Sequence, residues 1–141
     1  MMTQTLSVAE VMSKNVLFAH LNHSFTELCR LFFELNIHHL PVVDEADQLI
    51  GLVSANDVLK AYGRRLPGSQ LHDEAALNQE ITIESIMTPN PISASPDTSL
   101  KRAAELLSSN HIQSLPIVDD EGRVVGILTS RDLVRHLAQG D

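Results

Sequence analysis

The sequence is poor in cysteine, in aromatic residues and in positive charge. Its single cysteine, Cys29, rules out an internal disulfide bond and fits a reducing compartment. Lysine and arginine together number 10 against 18 aspartates and glutamates, so the formal net charge is −8. Nucleic-acid binding needs a basic face, and these few cations are scattered along the chain. We therefore expect no nucleic-acid partner.

Long apolar runs are also missing. No stretch approaches the roughly 18 apolar residues that a membrane span needs, and the first residues have neither the basic start nor the apolar centre of a signal peptide. We therefore expect a cytoplasmic protein without membrane attachment. Hydrophobic residues make up 43% of the 141 positions, which allows a globular core in one compact domain or in two closely packed halves.

What the sequence does contain is a copy of itself, 75 positions further on. Residues 8–60 align with residues 83–135 without a gap, and 12 of these 53 pairs are identical. Average residue usage gives roughly three or four matches by chance. Two copies are too few for a solenoid, so we expect two small units joined by a linker over 61–82. A duplicated unit also predicts duplicated sites.

Each copy predicts a short helical leading segment followed by the order strand, helix, strand, strand, helix. The middle helix of the first copy starts at Ser24, which with Glu27 has the spacing of a capping box. Two strands joined by an acidic turn form a predicted hairpin, and the linker carries a possible surface helix over 71–79. The predicted leading segments are 7–12 and 82–87, the first strands 16–19 and 91–94, the hairpin strands 39–43, 49–54, 112–118 and 123–129, and the closing helices 55–63 and 130–139.

The sharpest motif is a glycine followed three residues later by a hydroxyl residue and six residues later by an aspartate. It joins Gly51, Ser54 and Asp57 in the first copy, and Gly126, Thr129 and Asp132 in the second. Each hydroxyl and acid can form a capping box at the start of a helix. A helix start also attracts phosphate, and an aspartate can accept hydrogen bonds from both hydroxyls of a ribose. Capping and ligand binding both remain open at this point.

The repeat resembles the CBS domain, and the two copies together resemble the CBS pair, or Bateman module. The resemblance rests on segments 11–13 and 86–88, on 40–44 and 115–119, and on the two glycine–hydroxyl–aspartate motifs. It covers nearly all of the chain apart from the linker and the ends. It implies an α/β (α+β) fold in which two βαββα repeats pack with pseudo-twofold symmetry and leave two clefts between them.

The resemblance also implies that the protein binds an adenosine-containing ligand, such as AMP, ADP, ATP or S-adenosylmethionine. By this likeness the two aspartates would bind ribose, and the two hydroxyls would bind phosphate or ribose. Residues just before each central proline would face phosphate, and residues after each leading segment would lie against adenine. The implied binding residues are Val16, Leu17, His38, His39, Pro41, Ser54, Asn56 and Asp57 in the first copy, and Pro91, Ile92, Gln113, Ser114, Pro116, Thr129, Arg131 and Asp132 in the second.

The two copies differ between the hydroxyl and the acid. The second copy has Arg131 there, whose forked donors suit phosphate, whereas the first has the uncharged Asn56. We therefore expect the Thr129/Asp132 site to prefer the more phosphorylated ligand. The alternative is that Arg131 is a solvated side chain at the start of a helix.

Metal binding and catalysis have little support in the sequence. Seven histidines are present, at positions 20, 23, 38, 39, 72, 111 and 136, but no cysteine or carboxylate joins them at zinc spacing. No nucleophile elbow, phosphate loop or catalytic triad is recognisable. We therefore expect a stand-alone regulatory module, not an enzyme, which forms a homodimer and signals to an unidentified protein. The alternative is a dimerisation and interaction scaffold that needs no ligand.

Overall fold

The computed structural model describes residues 6–64 and 74–139, which form two compact units. The described residues up to Val16 and those from Ile92 onward make up unit 1, and those from Leu17 to Pro91 make up unit 2. These bounds do not follow the repeats of the sequence. Each unit contains the leading segment of one repeat and the remainder of the other repeat.

Unit 2 is built on a four-stranded sheet in the order β1-β2-β3-β4. The strand β1 runs parallel to β2, while β2 and β3 form the predicted antiparallel hairpin. The short β4 comes from the second repeat and pairs antiparallel with β3, through Leu52 and Thr88. The strands are β1 Ala19–His20, β2 His39–Val43, β3 Leu49–Ser54 and β4 Thr88–Pro89.

Unit 1 repeats this plan with fewer ladder contacts. Its hairpin joins β5, Ser114–Val118, to β6, Val124–Thr129. Single bridges replace the two outer strands. Ala94 pairs parallel with Ile117, and Ser13 from the first repeat pairs antiparallel with Ile127. The positions of these bridges match β1 and β4 of unit 2 under the 75-residue shift.

Five of the six described helices begin directly after a serine or threonine, and the exception is the helix that starts at Glu74. Ser24 accepts a hydrogen bond from the Glu27 amide, and Ser99 accepts one from the Arg102 amide. The leading segments form a 3₁₀ turn at Val8–Glu10 and one helical turn after Thr82. The helices are α1 Phe25–Leu35, α2 Ala55–Gly63, α3 Glu74–Glu80, α4 Ile83–Ile86, α5 Leu100–Ser109 and α6 Ser130–Gln139.

The hydrophobic core of each unit includes a residue from the other repeat. In unit 2, Ile83 of the second repeat is fully buried with Leu28, Leu40 and Val53. In unit 1, Val8 of the first repeat is fully buried in a core that also contains Leu115, Leu128 and Leu107. The two leading segments are therefore part of the cores and do not act as loose connections.

A methionine of each leading segment packs on the glycine of the opposite repeat's motif. A Cβ atom added to Gly51 would overlap Sδ of Met87, and one added to Gly126 would overlap Sδ of Met12. The first residue of the motif is therefore explained by packing, because only glycine leaves room for the methionine.

The linker helix α3 is fastened to the first turn of α1 by polar contacts. The Thr26 amide donates to Oδ1 of Asn78 at 3.0 Å, and Nδ2 of Asn78 donates to the Thr26 hydroxyl at 3.0 Å. Glu74 accepts from the Thr26 hydroxyl at 2.9 Å and pairs with Arg30 at 3.3 Å. Asn78 thus satisfies one of the amides that a helix leaves unpaired at its start.

Most predicted elements are present, but the first strand of each copy is much shorter than predicted. The predicted strands 16–19 and 91–94 reduce to Ala19–His20 and to a single bridge at Ala94, because each pairs with its neighbour over only one or two residues. The strand predicted over 112–118 starts at Ser114. The helix predicted over 71–79 is seen as α3, and positions 71–73 lie outside the described residues.

Candidate functional site

In unit 2, the end of the hairpin brings Ser54 and Asp57 together at the start of α2. The Ser54 amide donates to Asp57 Oδ2 at 2.8 Å, and the Asp57 amide donates to Ser54 Oγ at 3.0 Å. His39 lies directly opposite Ser54 in the ladder, so their side chains share a face of the sheet. The Ala55 amide donates to the carbonyl of His38 at 2.9 Å.

Unit 1 reproduces this arrangement at the start of α6. The Thr129 amide donates to Asp132 Oδ2 at 2.9 Å, and the Asp132 amide donates to Thr129 Oγ1 at 3.1 Å. Ser114 lies opposite Thr129 in the ladder. The Ser130 amide donates to the carbonyl of Gln113 at 2.9 Å. The predicted capping boxes are therefore present in both units, and each leaves part of the aspartate carboxylate for other contacts.

The hydrogen bonds at the two helix starts leave few backbone amides free to bind an anion. In each helix the first amide is bonded to the carbonyl of the residue just before β2 or β5, and the third amide is bonded to the capping hydroxyl. Among the described residues, no acceptor is placed on the second amide, which belongs to Asn56 in α2 and to Arg131 in α6. A phosphate at either helix start would therefore find one backbone donor, supplemented by side chains.

Ser114 carries a buried hydroxyl with no hydrogen-bond partner in the described part of the chain. The residue is 2% exposed. Leaving a buried polar group unsatisfied costs about 1–3 kcal/mol, and such groups are uncommon in folded proteins. Because Ser114 faces the same side of the ladder as Thr129, this unsatisfied donor lies beside the Thr129/Asp132 pair.

His39 occupies the position of Ser114 in the other unit, and its ionisation is perturbed. Partial burial lowers the pKa of His39 below its usual 6.5, and the nearby His38 lowers it further. Asp57 acts in the opposite direction. The neutral form of His39 is therefore favoured more than that of an exposed histidine at the same pH, and the Asp57 carboxylate lies close enough to favour the charged form in part.

Arg135 lies at the candidate site of unit 1 and is absent from the binding residues implied by the sequence. Its Nη1 lies 3.4 Å from Asp132 Oδ1, the carboxylate oxygen that does not cap the helix. The spacing of three residues on a predicted helix was the available signal, since side chains at that spacing meet. Unit 2 has Lys60 at the matching position, and no ion pair joins it to Asp57 within the described residues.

The structure separates the remaining predicted residues into three groups. Pro41 and Pro116 are fully buried in the hairpin strands. Asn56, Arg131, His38 and Gln113 are exposed near the helix starts. The predicted adenine contacts fall at the unit boundaries: unit 1 contains Val16 and Ile92, and unit 2 contains Leu17 and Pro91.

Each unit also has an open groove between two helices, on apolar residues. The groove of unit 2 has a volume of about 380 Å³, and that of unit 1 about 440 Å³. Cys29 lines the first groove, and its partial burial raises the pKa of the thiol, in agreement with a packing role. Large apolar side chains stand exposed on these helices, namely Phe33 (87%), Leu59 (68%), Val134 (64%) and Leu137 (75%).

Residues 6–64 and 74–139 contain no group of three or more potential metal ligands, and His72 lies outside these described residues. His20 and His23 are in edge-to-face contact, with ring centres 5.6 Å apart. Within the same residues, no helix is both long enough and apolar enough to cross a membrane.

The duplicated geometry has a counterpart among known families. The family model of the CBS domain matches residues 8–64 and again residues 83–139. The chain belongs to the CBS domain family. Each match contains one copy of the sequence repeat and extends beyond its end, and the predicted tandem CBS module is confirmed.

Curated relatives carry a similar segment within much longer chains. The L-aspartate semialdehyde sulfurtransferase of Methanocaldococcus jannaschii is 38% identical over 128 residues, which cover 91% of this CBS protein and 22% of that enzyme. The homoserine O-acetyltransferase of Methanohalobium evestigatum is 34% identical over 132 residues, which cover 94% and 24% of the two chains. The chain thus spans less than a quarter of the length of these two relatives.

Solved CBS structures match over nearly the whole chain. The CBS domain pair of protein MJ0100, in complex with 5′-methylthioadenosine and S-adenosyl-L-methionine, has a TM-score of 0.83 and 34% identity, and the match covers 98% of this chain and all of that one. CBSX2 of Arabidopsis thaliana, in complex with AMP, has a TM-score of 0.80 and 29% identity, covering 96% and 98%. The predicted mixed α/β fold of two CBS repeats is confirmed.

Proposed function

We propose that this CBS protein binds an adenosine-containing ligand at two sites, one in each unit, and transmits their occupancy to another protein. The sites centre on Ser54 with Asp57, and on Thr129 with Asp132. A ligand that binds one conformation better than another shifts the population toward it. Such a shift in population is how occupancy of a ligand site reaches a partner protein.

The observation that carries the proposal is the unsatisfied Ser114 hydroxyl beside Thr129 and Asp132. A capping box alone explains the hydrogen bonds between Thr129 and Asp132. It does not explain why the buried Ser114 hydroxyl, on the same face of the sheet, has no acceptor. A ligand oxygen at this position would satisfy that donor. Structures of similar CBS pairs contain AMP, 5′-methylthioadenosine and S-adenosyl-L-methionine, which supports adenosine as the common part of the ligand.

The roles of the residues follow from their chemistry. Asp57 and Asp132 each keep carboxylate lone pairs that can accept from a ribose diol while Oδ2 caps the helix. The hydroxyls of Ser54 and Thr129 can donate to ribose or phosphate oxygens. His38 and His39, or Gln113 and Ser114, would face phosphate, and the adenine would contact the segments at positions 16–17 and 91–92.

Calorimetric titration of the whole chain tests the proposal. AMP, ADP, ATP, S-adenosylmethionine and NAD are titrated separately, and at least one adenosine compound is expected to bind at millimolar concentration or below. Replacing Asp132 with alanine is expected to weaken that binding about tenfold or more, because a charge-assisted hydrogen bond is lost. The variant Asn56→Ala removes no such bond and should have a smaller effect.

A matched control separates ligand binding from helix capping. Glu27 forms the same capping box at the start of α1, where no ligand is proposed. The variant Glu27→Ala should lower the melting temperature as Asp132→Ala does, yet leave nucleotide affinity unchanged. If no adenosine compound binds the wild-type protein, the proposal is wrong.

A second candidate is a homodimeric scaffold that needs no ligand. It is favoured by the exposed apolar side chains of α1, α2 and α6, since exposed apolar patches mark interaction surfaces. On this view the two aspartates act only as helix caps. Added nucleotide would then leave the melting temperature of the wild-type protein unchanged.

Dimerisation itself can be tested on the most exposed of these side chains. Light scattering after size exclusion should give twice the chain mass for the wild type. Phe33→Glu should shift the protein toward the monomer, because a charge cannot be buried in an apolar contact without a large cost. The neighbouring exposed substitution Glu34→Gln is the control, and a wild type that is monomeric at high concentration excludes the dimer.

A further inference from the structure

Two arginines, Arg131 and Arg135, lie in the first two turns of α6, the helix that begins at the candidate site of unit 1. The residues are four apart on α6, so their side chains project from one face of the helix. Arg135 contacts Asp132 at 3.4 Å, which locates this face at the mouth of the site. The unsatisfied Ser114 hydroxyl lies on the opposite strand of the same corner, and it indicates a ligand independently of the helix start.

We propose that Arg131 and Arg135 jointly bind the outer phosphates of a nucleoside di- or triphosphate, and that Arg135 leaves Asp132 when they do so. The inference rests on the proposed function, because it assigns the selectivity of the same site. Arg135 is thereby a specificity-determining residue that distinguishes ligands by their charge.

The ion pair between Arg135 and Asp132 is weak enough for Arg135 to leave Asp132 and bind a phosphate. The Arg135 side chain is 56% exposed and that of Asp132 is 16% exposed. A pair that is open to solvent on one side and 3.4 Å long contributes little to stability. A guanidinium binds a phosphate through two parallel, charge-assisted hydrogen bonds, so a polyphosphate competes well for Arg135. Its departure frees Asp132 Oδ1 for a ribose hydroxyl.

An uncharged adenosine compound offers Arg135 no such alternative. It must share Asp132 with a guanidinium that has already neutralised part of the carboxylate charge. The site of unit 1 is therefore unfavourable for adenosine and favourable for ATP or ADP, since only the charged ligands recover the lost ion pair.

Unit 2 has neither of the two arginines. Asn56 replaces Arg131, and Lys60 replaces Arg135 without an ion pair to Asp57 among the described residues. A lysine is a single point charge without forked donors. The Asp57 site therefore suits a ligand with fewer phosphates than the Thr129/Asp132 site, and the two sites divide adenosine compounds by charge.

Calorimetry on single-site proteins tests the assignment. Asp57→Asn removes the ribose contact of unit 2, and adenosine, AMP, ADP and ATP are titrated into this background. Adding Arg135→Gln is expected to lower the ratio of ATP to adenosine affinity about tenfold. ATP loses a phosphate contact, whereas adenosine no longer shares Asp132 with a guanidinium, so adenosine affinity should not fall. Arg135→Lys, which copies unit 2, should restore part of the ratio. Lys60→Gln in the same background is the matched control and should leave the ratio unchanged.

The outcomes separate this inference from the proposed function. If Arg135→Gln leaves the ATP to adenosine ratio unchanged, Arg135 does not set selectivity, although the site itself stands. An equal loss of ATP and adenosine affinity would assign Arg135 a purely structural role and also overturn the inference. If the wild-type protein binds none of the four compounds, both the inference and the proposed function fail.

Discussion

At the residue scale, Gly51 and Gly126 show how a missing side chain can determine packing. Each glycine accepts the Sδ atom of a methionine, Met87 or Met12, at the place where a Cβ atom would lie. A substitution to alanine in such a well-packed place costs about 1–3 kcal/mol.

The glycine contact gives the first prediction. Gly51→Ala should lower the free energy of unfolding by about 1–3 kcal/mol in a denaturant titration. Gly63→Ala is the control, because a Cβ atom at Gly63 meets nothing within 4 Å and alanine favours the helix. Combining Gly51→Ala with Met87→Ala should be less destabilising than the sum of the two changes. Simple additivity would show that the methionine is not the cause.

His39 gives a pH-dependent prediction at the same scale. The pKa of His39 is lowered in the folded protein by burial, so the unfolded chain takes up the proton first as the pH falls. The contribution of His39 to stability is therefore complete well above pH 6.5 and is lost as the pH falls below it. The melting temperature should decrease between pH 7.5 and 5.5, and less steeply in His39→Gln. Equal slopes in both proteins would contradict the assignment.

At the scale of elements, the linker helix stabilises a helix more than 40 residues earlier in the chain. Asn78→Ala removes both hydrogen bonds to Thr26 and should lower the free energy of unfolding by about 1 kcal/mol. The control is Gln79→Ala on the exposed side of α3. Both changes raise the helix propensity of α3, so a loss confined to Asn78→Ala can come only from the contacts with α1. Equal stability of the two variants would mean that this docking contributes nothing.

The sequence predicted those elements whose signals are local. The hairpin β2–β3 follows from its acidic turn, and the helices α2 and α6 follow from capping-box spacings, all of which lie within a few residues. The strand β4, its counterpart at Ser13 and the Asn78 contact were not predicted, because each joins segments 36 to 114 residues apart. Such partners are chosen by tertiary packing, which has no signature in a local pattern.

The candidate site could likewise be predicted only where its signals are local. Position and repetition identified Ser54, Asp57, Thr129 and Asp132, and the structure places each pair together as a capping box. The ion pair of Arg135 was within reach of the same reasoning, since it lies three residues after Asp132. The isolation of the Ser114 hydroxyl was not, because whether a buried donor finds a partner depends on all the side chains around it.

At the scale of the whole molecule, neither sequence repeat contains a complete core. A fragment of residues 1–70 retains Val8 without the core that buries it and lacks Ile83, and the complementary fragment 71–141 has the reverse deficiency. Each monomeric fragment should therefore fail to unfold cooperatively, because a fully buried aliphatic residue contributes several kcal/mol to a core, about 2–5 kcal/mol.

Mixing the fragments should restore the structure. The equimolar mixture is expected to recover the circular dichroism and the cooperative thermal transition of the intact chain, which measures reassembly directly. A mixture in which Ile83 is replaced by aspartate should not recover them, because that residue is fully buried. Cooperative unfolding of either fragment as a monomer would show that its repeat is self-sufficient.

The exchange of leading segments between the two repeats limits how a gene of this kind can gain or lose a copy. A single copy of the repeat could complete its core only by domain swapping, in which two identical chains exchange their leading segments. When two copies are fused in tandem, the exchange of leading segments takes place within one chain and no longer depends on protein concentration. The two copies are then free to diverge at Arg131 and Arg135, but a deletion of either copy would return the other to a swapped partnership with a second chain.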